Sequence, residues 1–263
     1  KRNRTEILKN LMMIKSSRMM KVVEPDLIKK YPELLLAIST KDGGVSPSPY
    51  FLNLGLSVGD EEKSVLENRK RFFDSLNIPL DRVVMQKQIH SDNVNIVNES
   101  CFIQDSDALI TSEKNLYLAI SIADCIPVFL YSPDKKVVAG IHSGWKGTEY
   151  KISQKVVQRM IKEYGVNPEE MIAYIGPGIS VENYEVSKEV AERFQPSSYK
   201  IKNDKFYLDL KKDIYEQLLS VGLKKENIEI TSYCTFRDKE IFHSHRREKG
   251  ATGRMFGVIG MRG

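Results

Sequence analysis

Three apolar runs follow one another near the middle of the chain, and they predict buried β-strands. The runs cover residues 116–123, 127–131 and 137–141. Apolar runs of about four to eight residues are typical of buried strands. Residues 132–135, Ser-Pro-Asp-Lys, have the composition of a tight turn between the second and third runs. We interpret this stretch as the centre of the fold.

Four other segments are predicted to be helical, and further apolar runs predict more strands. The predicted helices cover residues 61–76, 148–164, 187–194 and 210–219. The further strands cover residues 34–39, 83–89, 94–97, 107–111, 171–175, 228–231 and 255–261. Because many strands are consecutive and the helices are interspersed, the order favours an α+β fold over a doubly wound parallel sheet. We expect a single domain, a layered α/β sandwich with mixed β-sheets.

The positive charge is concentrated at the start of the chain. The net charge of the 263 residues is +5, but residues 1–21 alone carry seven basic side chains and one acidic side chain. The remaining residues carry 33 basic and 34 acidic side chains, so they lack the basic surface expected of a nucleic-acid-binding protein. We interpret residues 21–263 as the folded domain. Residues 1–20 are interpreted as a basic N-terminal extension: a helical arm, a transit-like segment, or sequence upstream of the true start near Met19 and Met20.

The cysteine content and the hydropathy pattern indicate the cell compartment. The chain has three cysteines, Cys101, Cys125 and Cys234. This number is odd and too small for a disulfide framework. A reducing compartment is therefore favoured. No apolar run reaches the roughly 18 residues that a membrane-spanning helix needs, and residues 11–14 are too short for a signal peptide core. The sequence predicts a cytoplasmic protein without a membrane partner.

Residue types that bind metals stand at the ends of three predicted strands: His90, Cys125 and His142. Strands that end at the same sheet edge would bring such side chains together. A catalytic zinc site keeps three protein ligands and an open position, whereas a structural site uses four. The alternative is that Cys125 is a small buried residue and His142 a hydrogen-bonded histidine at a strand end. The spacing alone leaves both interpretations open.

Several ordered segments resemble the laccase-domain family, first labelled multicopper polyphenol oxidases and later described as zinc-dependent purine nucleoside phosphorylases. The similarity runs from about Thr40 to the C-terminus, and only the basic extension lies clearly outside it. The segments that carry the resemblance are residues 88–94, 107–111, 123–128, 139–148, 175–180, 184–186, 234–238, 242–247 and 253–255.

The resemblance implies a fold, a cofactor and an activity. It implies one domain with layered mixed sheets and a Zn²⁺ ion held by His90, Cys125 and His142. It also implies phosphorolysis of adenosine, inosine, guanosine and methylthioadenosine with phosphate, accompanied by adenosine deamination. Zinc with an open position activates water and polarises oxygen atoms, which suits both reactions. Cu²⁺ can bind the same three ligands.

Acidic residues next to the metal ligands are candidates for proton transfer. Known zinc deaminases use a nearby glutamate for this purpose, but the chain has no His-x-Glu or Pro-Cys-x-x-Cys pattern. Asp124 and Asp92 are the candidates by adjacency in the sequence. Asp124 has an alternative interpretation, because in a regular strand it faces away from Cys125 and serves only to orient a neighbouring group.

Phosphate binding requires cationic groups or free backbone amides. A helix is predicted to begin near Gly147 and Thr148, so Lys146 and the amides of residues 144–148 lie where an anion is favoured. Arginines suit phosphate because the guanidinium donates two parallel hydrogen bonds. The alternative for these arginines is a solvated surface paired with Glu248 and Asp238. The candidates in the C-terminal part are Arg237, His243, His245, Arg246, Arg247 and Arg254.

Three other functions compete with the nucleoside phosphorylase. A copper-binding polyphenol oxidase is one, since two histidines and a cysteine are a copper ligand set, but a multicopper centre needs more histidines than the four present. A cysteine hydrolase or amidase, in which His142 activates Cys125, is the second. A non-enzymatic interaction module is the third. The sequence does not indicate the oligomeric state.

Overall fold

The computed structural model describes residues 20–263, which form two six-stranded sheets, a small third sheet and five α-helices. The helices are α1 (Glu62–Ser75), α2 (Trp145–Glu149), α3 (Ile152–Tyr164), α4 (Lys188–Ala191) and α5 (Leu210–Ser220). The strands are β1 (Val22–Val23), β2 (Leu34–Ser39), β3 (Val83–Gln86), β4 (Val94–Ile96), β5 (Phe102–Ile103), β6 (Ala108–Thr111), β7 (Tyr117–Ile122), β8 (Ile126–Ser132), β9 (Val137–Ser143), β10 (Ile172–Ile175), β11 (Glu185–Val186), β12 (Tyr199–Lys202), β13 (Lys205–Leu208), β14 (Ile228–Ile230) and β15 (Met255–Met261).

Both large sheets mix parallel and antiparallel pairs. The first has the order β1-β2-β15-β7-β3-β5, and the second has the order β14-β10-β8-β9-β6-β4. In the first sheet β15 and β7 are antiparallel while β3 and β7 are parallel, and in the second β8 and β9 are antiparallel while β4 and β6 are parallel. The small sheet has the order β11-β13-β12. The predicted α+β fold with layered mixed sheets is confirmed.

The core has three layers because both faces of the central strands are covered. Side chains alternate across a strand, so a strand that is covered on both faces is apolar at nearly every position. One set of residues packs between the two sheets, including Leu118 and Phe129. A second set packs on the outer face of the first sheet, where the ring centre of Phe73 in α1 lies 6.3 Å from that of Phe256. A third packs under α3 and α5 on the outer face of the second sheet.

The helix predicted over residues 148–164 is interrupted, and its predicted start is wrong. The structure has a short helix that begins at Trp145, directly after Gly144, and a second that begins at Ile152. Lys151 separates them with a φ of 59°, a left-handed conformation that cannot continue a helix. The chain therefore turns into a helix immediately after β9, closer to the predicted metal ligands than the sequence indicated.

The start of the chain is only partly described. The basic extension predicted for residues 1–20 lies outside the described residues except for Met20, which lies next to Gly43. Within residues 20–263, the helices are all too short or too polar to cross a membrane.

Candidate functional site

His90, Cys125 and His142 meet at one point in the structure. Their potential ligand atoms all lie within 4.8 Å of one another. The Cys125 Sγ atom is 4.0 Å from His90 Nδ1, and the two imidazole rings have centroids 4.9 Å apart. A thiolate and two imidazoles suit zinc or copper. This cluster can therefore bind a metal ion.

The pairing of β8 with β9 explains why Cys125 and His142 meet. Pro127 pairs with His142 and Ile126 with Ser143, so Cys125 enters β8 beside the last residues of β9. The strand before Cys125, β7, belongs to the other sheet. Cys125 and His142 are therefore close together, as expected. They meet where the chain crosses between the sheets, and not because β7 and β9 end at a common edge.

Asp107 is the buried group that orients two of the three side chains. Its carboxylate accepts a hydrogen bond from His142 Nδ1 at 2.7 Å and another from the His90 backbone amide at 3.1 Å. It also accepts from the Ser91 amide and hydroxyl, both at 2.7 Å. Because Nδ1 of His142 is engaged, Nε2 is the atom that faces a metal, an arrangement that is common for metal-binding histidines. The same carboxylate holds the loop in which His90 has a φ of 59°.

The charges of this cluster stabilise the thiolate form of Cys125. Burial raises the pKa of the thiol, but the charge of His142 and hydrogen bonding by His142 and His90 outweigh burial, so the pKa is lowered. Burial lowers the pKa of His142, but Cys125 and Asp107 outweigh it and raise the pKa. The thiolate is the form of cysteine that binds metals. Without a metal the two side chains thus form a thiolate–imidazolium pair, and a metal that binds displaces the proton from His142.

The cluster lies in the wall of a cavity of about 540 Å³. This volume is within the range of about 300–1,000 Å³ that is common for small-molecule sites. The cavity extends from the three side chains to the first sheet. Beyond the cluster its lining includes aromatic and cationic side chains, among them Tyr184, Phe256, Arg69, Arg246 and Arg254.

Asp124 lines this cavity beside Cys125 but has both carboxylate oxygens engaged. Oδ1 accepts a hydrogen bond from the Thr235 hydroxyl, and Oδ2 accepts one from the Arg246 backbone amide, both at 2.7 Å. Asp124 has a φ of 95°, which is unusual for a residue other than glycine. The residue is thus held in a bend between β7 and β8, where it links the loop carrying Cys125 to the C-terminal segment.

The structure separates the cationic candidates into two groups. His245, Arg246 and Arg254 line the cavity, whereas Lys146 and Arg237 are absent from its lining. The Lys146 ammonium lies 5.6 Å from the centre of the Trp145 ring, and Arg237 is paired with Asp238. The first three residues are therefore the ones that can contact a ligand in the cavity. The other candidates from the sequence have protein partners: Asp92 pairs with Lys155, Arg247 with Glu248, and His243 with Thr252.

Asp107 and Arg69 are two residues of this site that were not predicted from the sequence. Asp107 is an acidic residue directly before a fully buried strand, β6. That position was the sequence feature that could have identified it. Arg69 lies at helical spacing between Val65 and Phe72, both of which are fully buried. A charged residue on the apolar face of a helix was the sequence feature that could have identified Arg69.

Replacing Gly144 by alanine is expected to weaken metal binding without unfolding the protein. An added Cβ would lie 2.9 Å from Cys125 Sγ and 3.0 Å from His90 Nδ1, which displaces both ligands. The backbone at Gly144, with φ −78° and ψ −179°, is extended and accessible to alanine. We expect the affinity for added zinc to fall about 10- to 100-fold, as for other disturbances of ligand orientation. Competition with a chelator measures this change, and equal thermal unfolding of the two metal-free proteins is the control.

Comparison with known proteins places this chain in a family. The sequence profile described as multi-copper polyphenol oxidoreductase laccase matches residues 35–262. The purine nucleoside phosphorylase YlmD of Bacillus subtilis is 36% identical over 248 residues, which are 88% of this chain and 89% of the relative. The purine nucleoside phosphorylase YfiH of Escherichia coli is 34% identical over 229 residues, which are 84% of this chain and 91% of the relative.

A solved structure extends the similarity from the sequence to the fold. The crystal structure of the hypothetical protein YfiH from Bacillus licheniformis has a TM-score of 0.86 and 34% sequence identity to this chain. The match covers 89% of this chain and 95% of that protein. The three site residues and the cavity lie within the matched part of the sequence. This chain therefore belongs to the multi-copper polyphenol oxidoreductase laccase family.

Proposed function

We propose that this protein is a zinc-dependent purine nucleoside phosphorylase. Its proposed substrates are phosphate and adenosine, inosine, guanosine or methylthioadenosine, and adenosine deamination is the accompanying reaction. The observation that carries the proposal is the convergence of His90, Cys125 and His142 in the wall of a cavity that cationic side chains also line. The names of the relatives from Bacillus subtilis and Escherichia coli support the choice of reaction.

The ligand set supports zinc over the copper centre that the family name describes. His90, Cys125 and His142 would hold the ion, and three protein ligands with an open position are typical of catalytic zinc. A multicopper centre requires many more histidines than the four in this sequence. When bound, zinc supplies a Lewis acid that polarises oxygen atoms and lowers the pKa of water.

In phosphorolysis the cationic wall has to hold phosphate in line with the glycosidic bond. An oxygen of HPO₄²⁻ forms the new bond to C1′ of the ribose while the bond from C1′ to N9 breaks. The electron pair of that bond stays on N9, and the proton of the phosphate ends there, which gives ribose 1-phosphate and the free base. His245, Arg246 and Arg254 are the proposed contacts to the substrates, because they line the cavity. Positioned cations reduce both the entropy cost of bringing two substrates together and the repulsion between them.

Deamination of adenosine needs a proton carrier, and Asp124 is the candidate that the cavity offers. Water adds at C6 of the base and ammonia leaves, so a proton has to move from the water to the departing nitrogen. Asp124 and Cys125 both line the cavity, which supports this role. Its hydrogen bonds to Thr235 and Arg246 fix its orientation.

Metal analysis combined with product analysis tests the proposed function. We expect about one zinc ion per purified chain, and equal amounts of hypoxanthine and ribose 1-phosphate from inosine, with no product when phosphate is omitted. A chelator should stop the reaction and added zinc should restore it. Copper-dependent oxidation of phenols would support the oxidase instead. Metal-free hydrolysis that is sensitive to thiol alkylation would support the cysteine hydrolase.

A further inference from the structure

Two half-buried arginines, Arg69 and Arg254, line the same cavity. Arg254 directly precedes β15, and Phe256 is the second residue of that strand, so their side chains point to the same face of the sheet. The guanidinium of Arg69 lies over the Phe256 ring, 5.3 Å from its centre. The Leu54 backbone joins the two arginines, because its carbonyl accepts from Arg69 Nε and its amide donates to the Arg254 carbonyl.

Each guanidinium is fixed along one edge by neutral backbone groups. Arg69 Nε donates to the Leu54 carbonyl at 2.8 Å, and within residues 20–263 its two terminal nitrogens have no protein acceptor. Arg254 Nη1 donates to the carbonyls of Thr252 at 3.2 Å and Gly253 at 3.0 Å. The remaining contact of Arg254 is a long one, 3.4 Å from Nη2 to His245 Nδ1. The other edges of both groups are therefore available to a ligand.

Neither arginine has a carboxylate partner within the described part of the chain. Burial lowers the pKa of both guanidinium groups, and for Arg254 the nearby charges of Asp124 and Cys125 offset this effect only in part. The nearest acidic side chain in the cavity, Asp124, already accepts hydrogen bonds from Thr235 and the Arg246 amide. Several arginines at the surface have the opposite arrangement, as in the pairs of Arg71 with Glu67 and Arg193 with Glu149. Two cations that are held in place in one cavity wall, with no carboxylate hydrogen-bonded to either, constitute a preorganised anion site.

We propose that Arg69 and Arg254 form the orthophosphate subsite of the cavity, an inference that rests on the proposed phosphorolysis. The planar guanidinium forks would each donate a pair of hydrogen bonds to one phosphate ion. Phosphate held there faces the metal-binding cluster across the cavity, and the nucleoside occupies the space between them. This assigns a substrate-binding role to Arg69, a residue of α1. Arg246 and His245, which are more exposed, would then contact the nucleoside.

The substitutions Arg69→Gln and Arg254→Gln test this subsite. We expect each to raise the dissociation constant of inorganic phosphate, measured by calorimetry on the zinc-loaded protein, by at least about tenfold, because a hydrogen bond to a charged group is lost. The KM for phosphate should rise equally, while the KM for inosine stays close to its wild-type value. Arg69→Lys should fall between wild type and Arg69→Gln, since lysine keeps the charge but not the fork. Arg71→Gln, on the exposed side of the same helix, is the matched control.

The two measurements separate a failure of this inference from a failure of the proposed function. If the wild type does not cleave inosine, phosphorolysis is wrong, but calorimetry with inorganic phosphate still decides whether the arginines bind it. If phosphorolysis is present and both glutamine variants keep the wild-type affinity and KM for phosphate, the subsite is wrong. It is also wrong if the arginines are needed only for binding inosine 5′-monophosphate, because the anion would then be the phosphate of a nucleotide. Thermal unfolding of each variant shows whether it is folded. If Arg69→Gln is not folded, Arg254→Gln provides the test.

Discussion

Replacing Cys125 by alanine is expected to remove the metal and abolish both phosphorolysis and deamination. The change deletes the only anionic ligand of the proposed site and leaves two imidazoles, of which His90 is exposed. Removing groups that merely orient a metal ligand lowers affinity or activity about 10- to 100-fold, so the loss of a ligand should exceed about 100-fold. Metal content, measured by mass spectrometry, and product formation from inosine and phosphate should fall together.

The fold of the Cys125→Ala variant should be preserved, so a loss of activity can be attributed to the loss of the metal ligand. Cys125 lies in the bend between β7 and β8, outside the apolar clusters of the core. We therefore expect wild-type and variant proteins to unfold at the same temperature in the presence of a chelator. Cys101→Ala is the matched control, since Cys101 is a free thiol that packs against the core between the sheets. Phosphorolysis retained by the Cys125 variant would exclude a metal held by this residue.

Replacing Asp107 by asparagine should have the second largest effect, although Asp107 is not a ligand. The carboxylate accepts hydrogen bonds from His142, from Ser91 and from backbone amides of the His90 loop. An asparagine of the same shape has one oxygen fewer, and its amide group would face donors. His142 then loses its fixed orientation, and the His90 loop loses its anchor. We expect zinc affinity to fall about 10- to 100-fold, measured by chelator competition.

The neighbouring substitution Asp105→Asn is the control for this change. Asp105 is exposed, pairs with Lys87 at the surface and has a φ of 51°, a conformation that asparagine adopts readily. Zinc affinity and activity should therefore stay at the wild-type level. Equal zinc affinities for Asp107→Asn and the wild type would mean that Asp107 does not orient the ligands of the site.

The central strands were predictable because their two buried faces leave a strong pattern. β2 and β15 have the boundaries that the sequence predicts, residues 34–39 and 255–261, and no end of the strands β7 to β9 differs from prediction by more than two residues. The hairpin of β12 and β13 was not predicted, since most of its side chains are exposed and it contains three lysines. Its turn residues Asn203 and Asp204 both have positive φ. Asparagine and aspartate adopt this conformation more readily than most residues, so the Asn-Asp pair was the signal available in the sequence.

The site was predictable to the extent that its chemistry depends on residue type. Cysteine and histidine at the ends of apolar runs, together with the family resemblance, indicated the three proposed ligands. Asp107 was not identified because its role depends on a contact between β6 and β9 that only the sheet order creates. Arg69 was not identified because α1 and β15 are far apart in the sequence and meet only through packing. Which cations face the cavity was likewise decided by the fold, since Lys146 and Arg237 have the same chemistry as those that do.

X-ray absorption at the zinc edge of the purified, active protein tests the central claim most directly. The claim is that one zinc ion is bound by His90, Cys125 and His142. The predicted spectrum has one sulfur at about 2.3 Å and two imidazole nitrogens at about 2.0–2.1 Å, with a lighter atom in the open position. The zinc signal should be lost in Cys125→Ala, whereas Cys101→Ala should keep both the zinc and its sulfur neighbour. A zinc shell without sulfur in the active wild-type protein would contradict the account.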